Sequence, residues 1–245
     1  MVRVALFLLI LIFDISASTR AADVCVINSY PIPPARRLEH RVRELLKEHH
    51  HRVVTSGCSV KVLIGTPAVV KELNTNDNCK RVYTFVLFPE KLGLQNRENF
   101  YGVRIFPLPE RTYKRFLKKF CLKKRKVAVP ISEEMLPIAQ IYLKKSYFVL
   151  IPFKHSPVET FKELLKYKYV YVFPDPKLLR LVNLVTLINF CKDNKLIVFS
   201  GLSDLYKFNL DYVDEIDFEK LAEDIVFLVE NNPESRILPC PCKEK

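Results

Sequence analysis

Short apolar runs alternate with helix-period segments from Asp23 almost to the end of the chain, and no other feature constrains the fold as strongly. Val24 to Ile27, Val60 to Ile64, Val82 to Leu87 and Tyr101 to Ile105 read as strands, as do Lys126 to Val129, Tyr147 to Ile151, Tyr169 to Phe173 and Leu196 to Phe199. Between them, Leu38, Val42, Leu45 and Leu46 recur at helical spacing, as do Tyr113, Phe116, Leu117 and Phe120, then Met135, Ile138, Ala139 and Tyr142. A further helix is expected over Leu178 to Asp193, and a last one carries Leu221, Ile225 and Leu228. The strands are apolar throughout rather than alternating, as strands covered on both faces must be. One strand and one helix roughly every 20 to 25 residues imply parallel sheets with helices on both faces. The Phe106-Pro107-Leu108-Pro109-Glu110 break reads as a link between two such lobes. Helix starts are marked by Pro67 in a first turn, by Ser132 and Asp217 as caps, and by the capping box Ser156-Pro157-Val158-Glu159.

The N-terminus has a different character. Arg3 precedes an unbroken apolar run from Val4 to Phe13, and small residues follow up to Ala22. That is the shape of a secretory signal peptide, expected over 1–22, and the run is too short for a membrane span of roughly 20 residues. Export to a periplasmic or other extracytoplasmic compartment is the corresponding expectation. Such a compartment permits disulfides. Seven cysteines leave at least one unpaired. Cys58 and Cys79 flank the same strand and helix and are the expected pair, whereas Cys25, Cys121 and Cys191 lie in apolar surroundings and read as core thiols. Cys240-Pro241-Cys242 is a close dithiol, and with the run His49-His50-His51 it offers soft-metal ligand types, but the spacing matches no closed zinc site, so no metal is assigned. The three histidines also suit the negative end of a helix.

The formal net charge is +12, and eight cations crowd into Lys114 to Lys126. A solvated helix face accounts for them, with docking to a membrane partner as the alternative; no nucleic-acid motif accompanies them, and no nucleic-acid partner is expected. Abundant Lys and Glu fit a heat-adapted protein. The chain contains no G-x-S-x-G, no P-loop and no H-E-x-x-H, and only five glycines. Neither an enzyme nor a cofactor is expected.

Several strands run into proline, at Pro89, Pro107, Pro130, Pro152 and Pro174. Proline cannot donate to a ladder and stops strands, and the carboxyl ends of parallel strands are where ligands bind. Five segments in order sharpen this reading: Val62-Leu63-Ile64-Gly65-Thr66-Pro67-Ala68, Phe85 to Leu94 (FVLFPEKLGL), Asn99 to Val103 (NFYGV), Val172 to Pro176 (VFPDP), and Leu196 to Ser200 (LIVFS). Together they resemble the substrate-binding proteins of ABC transporters, of the type that includes binders of tryptophan and other amino acids. The resemblance implies a type I periplasmic-binding fold: an α/β protein of two doubly wound parallel-sheet lobes with a ligand cleft between them. Its lobes would be 23–108 and 109–204, with 205–245 returning to the first. It also implies a monomer that passes a small ligand, an amino acid or small organic acid, to a membrane permease. Ser29, Thr66, Pro67, Ser132, Asp175 and Ser200 would line the cleft. Thr66 and Pro67 open a helix whose N-terminus suits a carboxylate, and Asp175 suits an ammonium group. Each serine, and Asp175, has a second reading as a cap. One departure stands out. Where the family carries Gly-Ala after the last cleft strand, this chain has Leu205-Tyr206-Lys207-Phe208-Asn209-Leu210. That motivates the alternative of a periplasmic sensor or interaction protein that kept the fold and lost transport.

Overall fold

The computed structural model describes residues 21–243, so the expected leader falls outside the described residues apart from its last two positions. The chain builds two parallel sheets in succession. The first lobe runs β1 (Asp23–Asn28), α1 (Pro33–Glu48), β2 (Arg52–Val53), β3 (Val60–Ile64), α2 (Thr66–Leu73), β4 (Lys80–Thr84) and β5 (Phe100–Val103). Residues 104–108 then cross to the second lobe. It contains α3 (Pro109–Lys119), β6 (Val127–Ser132), α4 (Leu136–Tyr142), β7 (Phe148–Phe153), α5 (Phe161–Leu164), β8 (Tyr169–Val172), α6 (Leu181–Asp193), β9 (Ile197–Ser200) and β10 (Tyr212–Val213). Residues 214–217 cross back, and α7 (Phe218–Glu230) and β11 (Ile237–Leu238) complete the first lobe. The strand orders are β11-β5-β4-β3-β1-β2 and β10-β9-β8-β6-β7. Every ladder in both sheets is parallel. Because β10 still pairs with β9, the chain leaves the second lobe after Val213 rather than at 205.

Each sheet is covered on both faces, which is why its strands carry no polar alternation. In the first lobe α1 buries Leu38, Val42 and Leu46, and α7 buries Leu221, Ile225 and Leu228, against Val62, Ile64 and Val82. On the opposite face Ala68 and Val69 of α2 pack with Leu63, Tyr83 and Phe100. In the second lobe, Tyr113 and Phe116 of α3 join Val127, Val129 and Phe199 on one face, and Leu184, Leu187 and Ile188 of α6 join Val170 and Val172 on the other. Phe116 is fully buried, with its ring stacked on Phe199 at 4.4 Å. Truncating such a ring costs about 3–5 kcal/mol.

The helix starts at Ser156 and Asp217 are capped as their sequences predict. Ser156 and Glu159 form a reciprocal capping box, and Asp217 Oδ1 accepts the Lys220 amide at 3.0 Å. Ser132 differs: its hydroxyl is buried and makes no capping bond. The strand-stopping role of proline also needs correction. Pro130 lies inside β6 and Pro152 inside β7, and each faces an isoleucine of the other strand. β7 is an edge strand, so Pro152 forfeits nothing on its open side. The missing donor at Pro130 is felt towards β8, where pairing covers only Val127 and Ala128.

The cysteine assignment changes too. Cys25 is bonded to Cys58, with Cα atoms 5.6 Å apart, and is not a free core thiol. β1 and β3 are adjacent, and the loop before β3 brings Cys58 beside Cys25. Cys79 lies on the other flank of Cys58, its thiol 3.2 Å from the Cys58 carbonyl oxygen. Cys191 is a buried thiol of α6, pushed up to about 12 by that burial. Cys121 is exposed instead of buried, because it takes the left-handed position (φ 50°) that closes α3 and starts a solvated loop.

Candidate functional site

The parallel sheets aim the carboxyl ends of β1, β3 and β4 from one lobe, and of β6, β8 and β9 from the other, at the region between them. At the first-lobe edge, Gly65 follows β3 with φ 105°, a conformation that suits glycine, and an added Cβ would lie 2.5 Å from Ser29 Oγ. The absence of a side chain lets Ser29 reach over: its hydroxyl donates to the Ile64 carbonyl at 3.0 Å and accepts the Ala68 amide at 3.2 Å. Ser29 therefore supplies the acceptor that α2 lacks at its own N-cap. Pro67 has no N–H and is exposed, so the turn presents little to an incoming carboxylate. Thr66 is half-buried and does line the interlobe cavity.

At the second-lobe edge the polar groups are tied to one another. Asp175 is completely buried. Its Oδ2 accepts the Ser132 amide at 2.6 Å, and its Oδ1 accepts the amides of Lys177 at 2.8 Å and Leu178 at 3.2 Å. Ser200, also buried, donates to the Val172 carbonyl at 2.8 Å and accepts the Leu202 amide at 3.1 Å. Thus the structure joins Ser132 to Asp175, and Ser29 to the turn at Thr66 and Pro67, with Ser200 stitched to β8. These residues do not form one polar ring around a common space.

The space itself is apolar. A cavity of about 560 Å³ lies between Tyr30, Phe85 and Leu87 of the first lobe and Leu181, Leu184 and Phe208 of the second. Ile105 and Ile216, one from each crossing, also line it. Its polar margin consists of Thr66, Ser203, Asp204 and Lys207. The segment that departs from the family pattern furnishes Leu205, Lys207 and Phe208 of this wall. It folds as a 3₁₀ turn over Ser203–Phe208, closed by Asn209 in the left-handed conformation. Phe85 also has a positive φ of 58°, a strained position for a bulky residue, right where β4 meets the cavity.

The other part of the interlobe region is filled. Phe88 of the first lobe stacks on Phe173 at the end of β8, with ring centres 5.7 Å apart, and meets Tyr142 of α4 at 5.5 Å. Phe106, in the first crossing, packs at 6.0 Å from Phe88 and 5.7 Å from Tyr142. Beside this plug, Glu90 of the first lobe accepts hydrogen bonds from Tyr142 of the second and from Arg104 at the crossing. Burial alone would raise the Glu90 carboxyl, but the bonds from Arg104 and Tyr142 outweigh it and hold the group below its ordinary range. Burial and the Glu90 bond both push the Tyr142 phenol up. Of this cluster, the sequence displays only the Phe88-Pro89-Glu90 strand end; Tyr142 reads there as a helix core position.

Among the described residues, no group of three or more His, Cys, Asp and Glu side chains is placed to hold a metal ion. The histidine run is engaged elsewhere: His49 and His51 both meet Glu230 Oε1, at 2.9 and 3.3 Å.

A conserved domain protein of Vibrio cholerae superposes with a TM-score of 0.56 at 12% identity, covering 91% of each chain. An ABC domain from Streptococcus pneumoniae, solved in complex with L-Trp, gives 0.54 at 12% identity over 90% of each chain. A LacI transcriptional regulator of Lactobacillus brevis gives 0.50 at 10% identity over 90% of this chain and 98% of its own. This is the type I periplasmic-binding-protein fold. No protein-family profile and no curated sequence matches the chain. At these identities the likeness speaks for the fold alone.

Proposed function

We propose that the protein is a non-catalytic binding protein that holds a small, largely apolar molecule between its lobes. The observation that carries this reading is the apolar cavity of about 560 Å³ at the interlobe position, edged by only a few polar groups. The same geometry argues against a free amino acid gripped by its ammonium and carboxylate groups, because the Asp175 carboxylate and the Ala68 amide in the first turn of α2 are already bonded inside the protein. An aliphatic or aromatic body with a single polar handle near Lys207 or Asp204 suits the walls better. Export behind the apolar leader, and delivery of the ligand to an ABC permease, complete the proposal. They rest on the N-terminal sequence pattern and on the family resemblance.

The test is a thermal-shift screen of branched-chain and aromatic acids, amides and alcohols against the polar amino acids, with native mass spectrometry of the purified protein. A ligand at a hundred times its Kd adds about 2.7 kcal/mol of stability, so a true ligand produces a clear rise in Tm. Stabilisation by polar amino acids alone would refute the apolar assignment.

The second reading is an interaction or sensor protein whose cleft is closed by its own side chains. The Phe88–Phe106–Tyr142–Phe173 plug and the Glu90 bridge favour it. It predicts no stabilising ligand for the native chain.

A further inference from the structure

The C-terminal segment brings together a group of side chains that the interlobe site does not use. After β11 the chain turns under the second crossing and is pinned there. The Asp217 amide donates to the Pro241 carbonyl at 2.9 Å, the Lys243 amide donates to the Glu215 carbonyl at 2.9 Å, and Ile216 and Cys242 face each other as antiparallel partners. In an extended segment, residues i and i+2 point the same way. Cys240 and Cys242 obey this, with sulfur atoms 3.7 Å apart. Across the lobe boundary, Arg115 of α3 places Nη2 3.5 Å from Cys242 Sγ while its Nε and Nη2 clamp the buried Asp214 carboxylate at 2.7 and 2.8 Å.

This is not the environment of an inert core thiol. Cys240 is buried, Cys242 is half-exposed, and a guanidinium stands against the more accessible sulfur. The Cys240 hydrogen bond lowers the Cys242 thiol against the cost of burial, and Arg115 and Arg111 add to this while Asp214 opposes it; the same bond raises Cys240. The other charges at the segment, Glu215 and Lys243, pair with each other at 2.8 Å. An attacking thiol needs a stabilised thiolate and access, and a resolving thiol needs proximity.

We propose that Cys240 and Cys242 form a thiol–disulfide exchange site in which Cys242 attacks an incoming disulfide and Cys240 resolves the mixed disulfide. In the first step the Cys242 thiolate attacks one sulfur of R–S–S–R. The R–S–S–R bond breaks, Cys242–S–S–R forms, and one RS⁻ leaves. In the second step Cys240 gives its proton to the departing thiolate and attacks the Cys242 sulfur. The Cys240–Cys242 disulfide forms and a second RS⁻ leaves, to be protonated by water. The two protein thiols are oxidised and one external disulfide is reduced to two thiols. The two sulfur atoms already stand 3.7 Å apart, so the bond closes with a small movement of the two side chains.

The test uses the full chain, reduced, freed of reductant and exposed to glutathione disulfide at neutral pH. The reaction is stopped with acid, free thiols are alkylated, and peptides are mapped. The expected product is a Cys240–Cys242 disulfide with release of two glutathione thiols. Cys240→Ser should stop at glutathione held on Cys242, and Cys242→Ser should leave Cys240 unmodified. In the Cys240→Ser background, Arg115→Gln should slow capture severalfold, because losing the guanidinium beside Cys242 leaves less thiolate, a loss partly offset by the greater nucleophilicity of a more basic thiol. Arg115→Lys, which keeps the charge beside Asp214, should restore most of the rate and guards against loss of the fold. Two results would overturn the proposal: both thiols surviving after the exposed Cys121 has been glutathionylated, or a mixed disulfide on Cys242 that persists with Cys240 intact.

Discussion

Replacing Asp175 by alanine separates the two roles this residue can have. Its carboxylate accepts three backbone amides, from Ser132, Lys177 and Leu178, and it ties the end of β6 to the turn after β8. Alanine removes all three bonds. The Ser132 and Leu178 amides are buried and would stay unpaired. Each unpaired buried donor costs about 1–3 kcal/mol, so the expected loss is about 4 kcal/mol. For a chain of this length, that lowers Tm by roughly 10 °C at 2–4 °C per kcal/mol. Asparagine retains one acceptor but turns an NH₂ group towards an amide, and should cost about half as much. Differential scanning calorimetry and urea unfolding of the wild type and both variants measure this directly. If Asp175 were instead a ligand anchor with solvent in place of the amides, Asp175→Asn would leave Tm unchanged and abolish binding of an ammonium-bearing ligand. An unchanged Tm for Asp175→Ala would refute the structural account.

Three further outcomes follow from other parts of the molecule. Reduction of Cys25–Cys58, whose partners are 33 residues apart, should destabilise the first lobe by about 3.5 kcal/mol. Non-reducing peptide maps should recover that pair and no Cys58–Cys79 peptide. Gly65→Ala should cost about 2 kcal/mol or more in urea unfolding, because alanine is strained at φ 105° and its Cβ would collide with Ser29 Oγ. Glu90, held below its ordinary value of 4.5, stabilises the interlobe contact above that pH, and this contribution is lost as pH falls through the lowered value. Acid titration below about pH 5 should therefore weaken the wild type more than Glu90→Gln, when Tm is followed against pH.

The layered fold was legible in the sequence because its cause is local. A strand buried on both faces must be apolar at every position, and a helix on a sheet must be apolar at every third or fourth; the runs from Val24 to Phe199 satisfy one condition or the other. The caps at Ser156 and Asp217 were legible for the same reason, since donor and acceptor lie within a few residues. The candidate site was legible only as positions. Ser29, Thr66, Ser132, Asp175 and Ser200 do stand at strand ends, but their sequence neighbourhoods do not reveal whether a hydroxyl or carboxylate points at a ligand or at a backbone amide on another strand.

That distinction belongs to tertiary structure. Asp175 and Ser132 are 43 residues apart and Glu90 and Tyr142 are 52 apart, and only the superposition of sheet edges brings them within bonding distance. The Cys25–Cys58 bond, the aromatic plug and the Arg115–Cys242 contact depend equally on which strands and crossings become neighbours. The sequence by itself determined which segments are strands and helices and that both sheet faces are covered, because periodicity is a property of neighbouring residues. The partners of its polar groups were decided only in the folded molecule, because hydrogen bonds and ion pairs follow distance in space, and chain order does not encode it.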